Sequence, residues 1–157
     1  RLETCGAVAM MEEALVLGAA LAEESAMQVE RLYADSFSVL AHQNGLLHAL
    51  VNLIRNACEA MSQMPLKSRH LAVELQREEG SGVFRVRDTG PGLTEQQIQT
   101  LFLIGHTTKA SGHGIGLHVS ANDVSAMGGE IRVHSDGPGC GACFEIRLPL
   151  SDAIGSR

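Results

Sequence analysis

The segment GLLHALVNLIRNACEAMSQM, residues 45–64, carries the strongest structural signal in the chain. Its apolar side chains recur at intervals of three or four positions: Leu46, Leu50, Leu53, Ala57 and Met61. This interval is typical of an α-helix with one buried face. Pro65 follows directly and indicates a helix end. The segment therefore predicts a long helix over residues 45–64.

Shorter elements are predicted on both sides of this helix. Apolar periodicity predicts helices over residues 7–21, 94–103 and 114–127, the second capped by Thr94. Alternating apolar residues predict strands over residues 27–33, 37–41, 70–78, 83–88, 130–134 and 143–148. Strands joined in hairpins and separated by helices predict an α+β fold, a two-layer sandwich.

The composition limits the classes of protein to which the chain belongs. Its 157 residues, 45% of them apolar, predict one folded domain over residues 1–150, with a fraying tail over residues 151–157. The net charge of -6 and the absence of a basic run argue against a nucleic-acid partner. The longest apolar stretch, residues 14–22, is half of the roughly 20 residues that span a membrane, so we expect a cytoplasmic domain with no direct membrane insertion.

Two asparagines interrupt the apolar pattern of the long helix. Asn52 and Asn56 are four residues apart and lie on one helix face. A buried amide often serves only to hydrogen-bond a neighbouring loop. The functional alternative is that an amide oxygen ligates Mg²⁺ on a nucleotide phosphate.

Two glycine-rich segments are candidates for close approach to a ligand. Asp88 ends a predicted strand and begins DTGPG, in which a carboxylate could accept a hydrogen bond from an amine while Gly90 and Gly92 let the backbone pass a flat ring. The segment GHGIGL, residues 112–117, precedes a predicted helix, whose exposed N–H groups attract phosphate. Its spacing is neither that of a dinucleotide-binding fold nor that of a P-loop.

The residues before the second glycine segment predict a flexible loop with one cation. No period survives over residues 104–113, and the loop contains Thr107, Thr108 and Lys109. A lysine on a mobile loop can neutralise a terminal phosphate, although a solvated surface lysine is the more common role.

The combination of these motifs in one order resembles the ATP-binding catalytic domain of two-component sensor histidine kinases, within the wider group that includes gyrase, chaperone and mismatch-repair ATPases. NLIRNACEAM resembles the family's N box, DTGPG its first glycine box, LFLIGHTTK its F box and lid, and GHGIGL its second glycine box. The resemblance implies a Bergerat-type ATP-binding fold, with a mixed, mainly antiparallel sheet and a flexible ATP lid.

The resemblance implies a role for each matched residue. Asn56 would ligate Mg²⁺, Asn52 would lie near the phosphates, and Asp88 would accept a hydrogen bond from the adenine amino group, with Gly90 and Gly92 shaping the pocket. Lys109 would meet the γ-phosphate, which makes Asn56 and Lys109 the catalytic pair. The remaining expected ATP-binding residues are Thr107, Thr108, Gly112, His113, Gly114, Ile115, Gly116 and Leu117, of which Leu117 suits core packing better.

Departures from the family pattern bear on the activity. The ATPase branches carry a water-activating Glu where this chain has Asn52, which favours a kinase. Glu59 lies on the same helix, and a supporting role suits it better than that of a base. Ala142 and Cys143 stand where many relatives carry a hydroxyl residue, and the Cys140/Cys143 pair lacks the further ligands of a zinc site.

None of the seven histidines lies in a phosphoacceptor motif. The resemblance therefore implies that the γ-phosphoryl group of Mg·ATP passes to a histidine on a separate helical dimerisation domain of the parent kinase, and from there to a response regulator. Two alternatives remain open: a nucleotide-binding regulatory module without phosphotransfer, and a stand-alone ATPase of the same group.

Overall fold

The computed structural model describes residues 1–22, 28–100 and 113–151. The helices within these ranges are α1 (Ala7–Ala22), α2 (Gln43–Ala60), α3 (Glu95–Thr100) and α4 (His113–Ala126). The strands are β1 (Glu3–Gly6), β2 (Gln28–Tyr33), β3 (Ser38–Ala41), β4 (His70–Glu78), β5 (Ser81–Asp88), β6 (Glu130–His134) and β7 (Ala142–Pro149). A short 3₁₀ helix, Leu66–Ser68, joins α2 to β4.

The strands form one main sheet and one small one. The main sheet has the order β2-β4-β5-β7-β6, in which β2 is parallel to β4 and the other neighbours are antiparallel. Strands β1 and β3 pair antiparallel beside it. This arrangement confirms the predicted α+β fold with a mixed, mainly antiparallel sheet.

The helices α1, α2 and α4 form the second layer, with α2 in the middle. Side chains alternate along β5, so that Phe84 and Val86 are fully buried in the core between the layers while Arg85 and Arg87 lie on the outer face.

The same alternation makes the outer face of the sheet a network of ion pairs. Arg85 donates to Glu78 and Glu145, each at 2.8 Å. The hydrogen bond from Arg85, and then that from Arg147, lowers the pKa of Glu78.

The long helix ends earlier than its apolar pattern predicts. It ends at Ala60 rather than Met64, and Met61 caps it with φ -95° and ψ 0°. Pro65 disfavours helical backbone at Met64, because the residue before a proline is pushed out of the helical region, and the chain has already left the helix at Met61.

Two other elements differ from the sequence-based expectations. The β4–β5 turn consists of Glu79 and Gly80 alone, with φ values of 49° and 84°, so β5 begins at Ser81 rather than Val83. A two-residue turn with positive φ at both positions matches the twist of paired strands. Strand β1 was not predicted, because its four residues show no alternation and it exists through its pairing with β3. None of the helices in the described ranges is long and apolar enough to span a bilayer.

Candidate nucleotide-binding site

Helix α2 positions the candidate site along one of its faces. Asn52, Asn56 and Ala60 lie on successive turns of that face. Asn52 is 7% exposed, and its Nδ2 donates a hydrogen bond to Oγ of Ser120 on α4 at 2.8 Å. Ser120 is fully buried. Asn52, which we expected near the phosphates, therefore connects α2 to α4 through a buried hydrogen bond.

The other end of this face meets the loop that follows β5. A Cβ placed on Gly90 would lie 3.2 Å from both Cβ and the carbonyl oxygen of Ala60, which is closer than side chains normally pack. Gly90 therefore lies against the last turn of α2. Asn56 is half-buried and lies one turn from Asn52 and one turn from Ala60, between α4 and this loop.

Asp88 is the last residue of β5 and is 7% exposed. It lies on the same sheet face as Phe84 and Val86, the face that the helices cover. Its Oδ1 accepts a hydrogen bond from the N–H of Gly90 at 2.8 Å. This bond fixes the orientation of the carboxylate at the edge of the core, and a carboxylate can accept further bonds beside it.

Thr89 anchors the loop to the beginning of β4. Its hydroxyl donates to the carbonyl of Ser68 at 2.8 Å and accepts from the N–H of His70 at 3.0 Å. We expected no role for Thr89 from the sequence, although it lies inside the DTGPG motif. The structure adds it, together with Ser120, to the residues that hold the candidate site.

The packing of the protein also explains why position 92 is a glycine. Its φ is 78°, and a Cβ there would overlap the carbonyl oxygen of Gly137 in the β6–β7 turn. Gly92 is therefore required for the loop to pack against the β6–β7 turn, and Gly90 makes a tight contact with Ala60, while the ligand approach that the sequence suggested for both glycines stays a prediction.

The second glycine segment lies where α4 begins. The backbone of His113, Gly114, Ile115 and Gly116 forms the first turn of this 14-residue helix. Leu117 is 1% exposed and belongs to the hydrophobic core, which agrees with the packing role expected for it. Thr107, Thr108, Lys109, Gly112 and the predicted flexible lid lie outside the described residues.

The cysteine pair lies away from the helices. Cys140 and Cys143 help to line a cavity of about 250 Å³ that also takes in Arg87 on the outer face of the sheet. Burial raises the pKa of the Cys143 thiol, and the Arg87 charge opposes this only in part. Within the described ranges, no group of three or more His, Cys, Asp or Glu side chains is arranged to hold a metal ion.

The chain matches one protein-family model and several known sensor proteins. Residues 41–152 match the family described as histidine kinase-, DNA gyrase B- and HSP90-like ATPases. The sensor protein FixL of Bradyrhizobium diazoefficiens is 37% identical over 145 residues, which cover 91% of this chain and 28% of FixL. The C4-dicarboxylate transport sensor protein DctS of Rhodobacter capsulatus is 32% identical over 142 residues, which cover 90% of this chain and 22% of DctS. The chain thus spans less than a third of either relative.

A solved structure has the same fold. The mycobacterial sensor histidine kinase MprB superposes with a TM-score of 0.81 over 96% of this chain and 98% of that one, at 23% identity. At this identity the likeness establishes the architecture of the sandwich.

Proposed function

The chain belongs to the family of histidine kinase-, DNA gyrase B- and HSP90-like ATPases, and from this membership we propose that it binds Mg·ATP and transfers the γ-phosphoryl group to a histidine on a separate dimerisation domain. The observation that carries the proposal is Asp88, a buried carboxylate held by the Gly90 N–H beside the end of α2. The proposal places the domain in the cytoplasm, with the dimerisation domain as its direct partner and a response regulator as its indirect one.

Asp88 is suited to recognise the base. A buried acceptor with a fixed orientation discriminates strongly between a ligand that donates to it and one that does not, because the mismatched ligand leaves a polar group unpaired. The exocyclic amine of adenine is such a donor, whereas guanine presents an oxygen at the same position. Asp88 would therefore select adenine nucleotides.

Asn56 is suited to hold the metal. Mg²⁺ prefers oxygen ligands, and an amide oxygen supplies one without adding charge beside the phosphates. The bound metal supplies neutralisation of the triphosphate charge. The N–H groups in the first turn of α4 would bind phosphate oxygens, as helix N-termini do, and Lys109 would approach the γ-phosphate from the loop before it.

Asn52 favours phosphotransfer to a partner over hydrolysis. Its amide cannot abstract a proton from water, and its Nδ2 is engaged with Ser120. A site that binds the triphosphate without activating water positions the γ-phosphoryl group for another nucleophile. The half-buried Glu59 lies three residues beyond Asn56 and would act as a supporting group rather than as a base.

Incubation with γ-labelled ATP and a separately prepared dimerisation domain tests the proposal. Labelled histidine on that domain is the expected result. Binding without transfer or hydrolysis would instead indicate a regulatory nucleotide-binding module, and release of free phosphate without a partner would indicate a stand-alone ATPase.

Variants at Asp88 test the base assignment separately. Asp88→Asn keeps an acceptor for the Gly90 N–H but removes the charge, and we expect ATP affinity to fall about tenfold to a hundredfold, the equivalent of a charged hydrogen bond. Asp123→Asn on α4 is the matched control and should leave the affinity unchanged. An unaltered ATP affinity in Asp88→Asn would remove the adenine assignment.

A further inference from the structure

The turn between β6 and β7, residues 135–141, packs against residues 88–93, which comprise the last residue of β5 and the five residues after it. The N–H of Gly139 donates to the carbonyl of Pro91 at 2.5 Å, and the N–H of Gly141 donates to the carbonyl of Gly90 at 3.1 Å. These bonds join residues that are about 50 positions apart in the chain. The segment carrying Asp88 is therefore shaped by a second loop and not by its own strand alone.

The hydroxyl of Ser135 is the centre of this contact. It accepts the N–H of Leu93 at 3.1 Å and the N–H of Gly137 at 3.2 Å. It also donates to the carbonyl of Gly141 at 2.6 Å. A serine hydroxyl has one donor and two acceptor sites, so these bonds use its full capacity, with the carbonyl of Gly137 at 3.3 Å as a second acceptor for the same proton. One side chain thus closes the β6–β7 turn and holds the far end of the Asp88 segment.

Close packing leaves the two segments little freedom to move apart. A Cβ on Gly92 would overlap the carbonyl oxygen of Gly137, and a Cβ on Gly141 would overlap the carbonyl oxygen of Asp88. The main chain of Asp88 itself therefore lies against the turn that Ser135 closes. A change in the turn would be transmitted directly to the residue proposed to bind adenine.

We propose that Ser135 is a positioning residue for nucleotide binding. It holds residues 88–93 in the shape that presents the Asp88 carboxylate, without touching the nucleotide. This inference rests on the proposed function, because the segment matters only if Asp88 receives the base. A serine that merely stabilised its own turn would affect unfolding and leave nucleotide affinity unchanged.

Three substitutions at Ser135 test the contribution of its hydroxyl group to nucleotide binding. Ser135→Ala and Ser135→Val remove it, and Ser135→Thr keeps it with nearly the shape of valine. Ser62→Ala is the matched control, since the Ser62 hydroxyl also donates to a backbone carbonyl, that of Glu59 at 2.8 Å, but within its own turn. The probe is ADP, with its dissociation constant measured by titration calorimetry on the nucleotide-free chain.

We expect the ADP dissociation constant to rise about tenfold in Ser135→Ala and Ser135→Val, because the Leu93 amide loses its acceptor and the segment loosens. Ser135→Thr should bind within about twofold of the wild type, as should Ser62→Ala. Affinities within twofold of the wild type in both hydroxyl-free variants would overturn the inference.

Hydrogen exchange on the wild type gives a test that does not depend on a variant folding. ADP should slow exchange at the amides of Leu93, Gly139 and Gly141, because binding to Asp88 stabilises the joined segments. Binding of ADP with no change at these three amides would overturn the inference and leave the proposed function standing. A wild-type chain that does not bind ADP would remove both.

Discussion

At the scale of single residues, the candidate site depends on hydrogen bonds between segments that are far apart in sequence. Asn52 and Ser120 are 68 residues apart and share a buried bond of 2.8 Å. Thr89 joins the Asp88 segment to Ser68, 21 residues earlier. The Asn52–Ser120 bond is buried, so that a missing partner there would leave a polar group unsatisfied in the core, which is costly, whereas the Thr89–Ser68 bond lies at the surface.

Ser120→Ala tests the cost of removing one such partner. The buried amide of Asn52 would lose the Ser120 hydroxyl as an acceptor, so we expect the free energy of unfolding to fall by about 1–3 kcal/mol. Urea denaturation measures this directly. Ser125→Ala, an exposed position on the same helix, is the control and should change stability by less than about 0.5 kcal/mol. Equal effects of the two substitutions would show that the Asn52–Ser120 bond contributes little.

At the scale of elements, the packing of α1 across α2 depends on a close approach at one glycine. A Cβ on Gly18 would lie 2.7 Å from Cγ2 and 3.0 Å from Cβ of Ile54, both on the stiff, β-branched part of that side chain. The two helices therefore approach each other closely because position 18 has no side chain. Gly45, on α2, has no such restriction, since its nearest neighbours would lie 3.7 Å away.

Alanine at these two glycines should have opposite effects. Gly45→Ala should stabilise the fold by about 0.5–1 kcal/mol through helix propensity. Gly18→Ala gains the same propensity but must displace Ile54, and overpacking of about 1–3 kcal/mol exceeds the gain. Thermal or urea unfolding of both variants gives the comparison. A Gly18→Ala variant as stable as Gly45→Ala would contradict the close helix contact.

A second element-scale contact ties the edge strand β2 to α1. Glu12 on α1 accepts hydrogen bonds from Arg31 at 2.7 and 3.0 Å and from the Tyr33 hydroxyl at 2.6 Å. The hydrogen bond from Arg31 is the main cause of a lowered Glu12 pKa. A carboxyl group with a lowered pKa in the folded state stabilises the fold above its unfolded pKa of about 4.3, and this stability is lost as the pH falls through the folded value.

Glu12→Gln should therefore destabilise the chain at neutral pH and less so in acid. The expected loss is about 0.5–1 kcal/mol at pH 7, because Glu12 and Arg31 are 39% and 48% exposed and solvent weakens the pair. The difference from the wild type should shrink below about pH 4. Urea unfolding between pH 3 and pH 7 measures it, with the exposed neighbour Glu13→Gln as the control. A difference that does not change with pH would contradict the assignment.

At the scale of the whole molecule, nucleotide binding and global stability should be linked. The Asp88 segment contacts the last turn of α2, the start of β4 and the β6–β7 turn. A ligand that binds only the folded state stabilises it by about 2.7 kcal/mol at a hundred times its dissociation constant. The site is thus built from parts of both layers, and binding should raise the stability of the chain as a unit.

Thermal unfolding with Mg·ADP tests this linkage. For a chain of this size we expect Tm to rise by roughly 5–10 °C at a hundredfold excess over the dissociation constant. Asp88→Asn at the same ADP concentration should show a clearly smaller rise, because its site is less occupied. An unchanged Tm at millimolar Mg·ADP in the wild type would argue against nucleotide binding by this chain.

Local pattern was sufficient to predict most elements of the fold and the motifs of the site. The three-to-four-residue period of residues 45–61 and the alternation of residues 70–78 report which face of each element is buried, because burial imposes that period on any helix or strand. The order of DTGPG and GHGIGL indicated the family, and the match over residues 41–152 confirms it. The roles of Asn56, Asp88 and Lys109 in ATP binding remain predictions.

Only the tertiary structure determined which residues meet. The pairing of β1 with β3 and the partners of Asn52 and Ser135 depend on segments dozens of residues away. Such contacts leave no period in the sequence, because a serine that will bond a distant amide has the same local neighbours as a serine that faces solvent. The sequence thus determined the elements and the family, and the packing of the two layers determined the hydrogen bonds that shape the site.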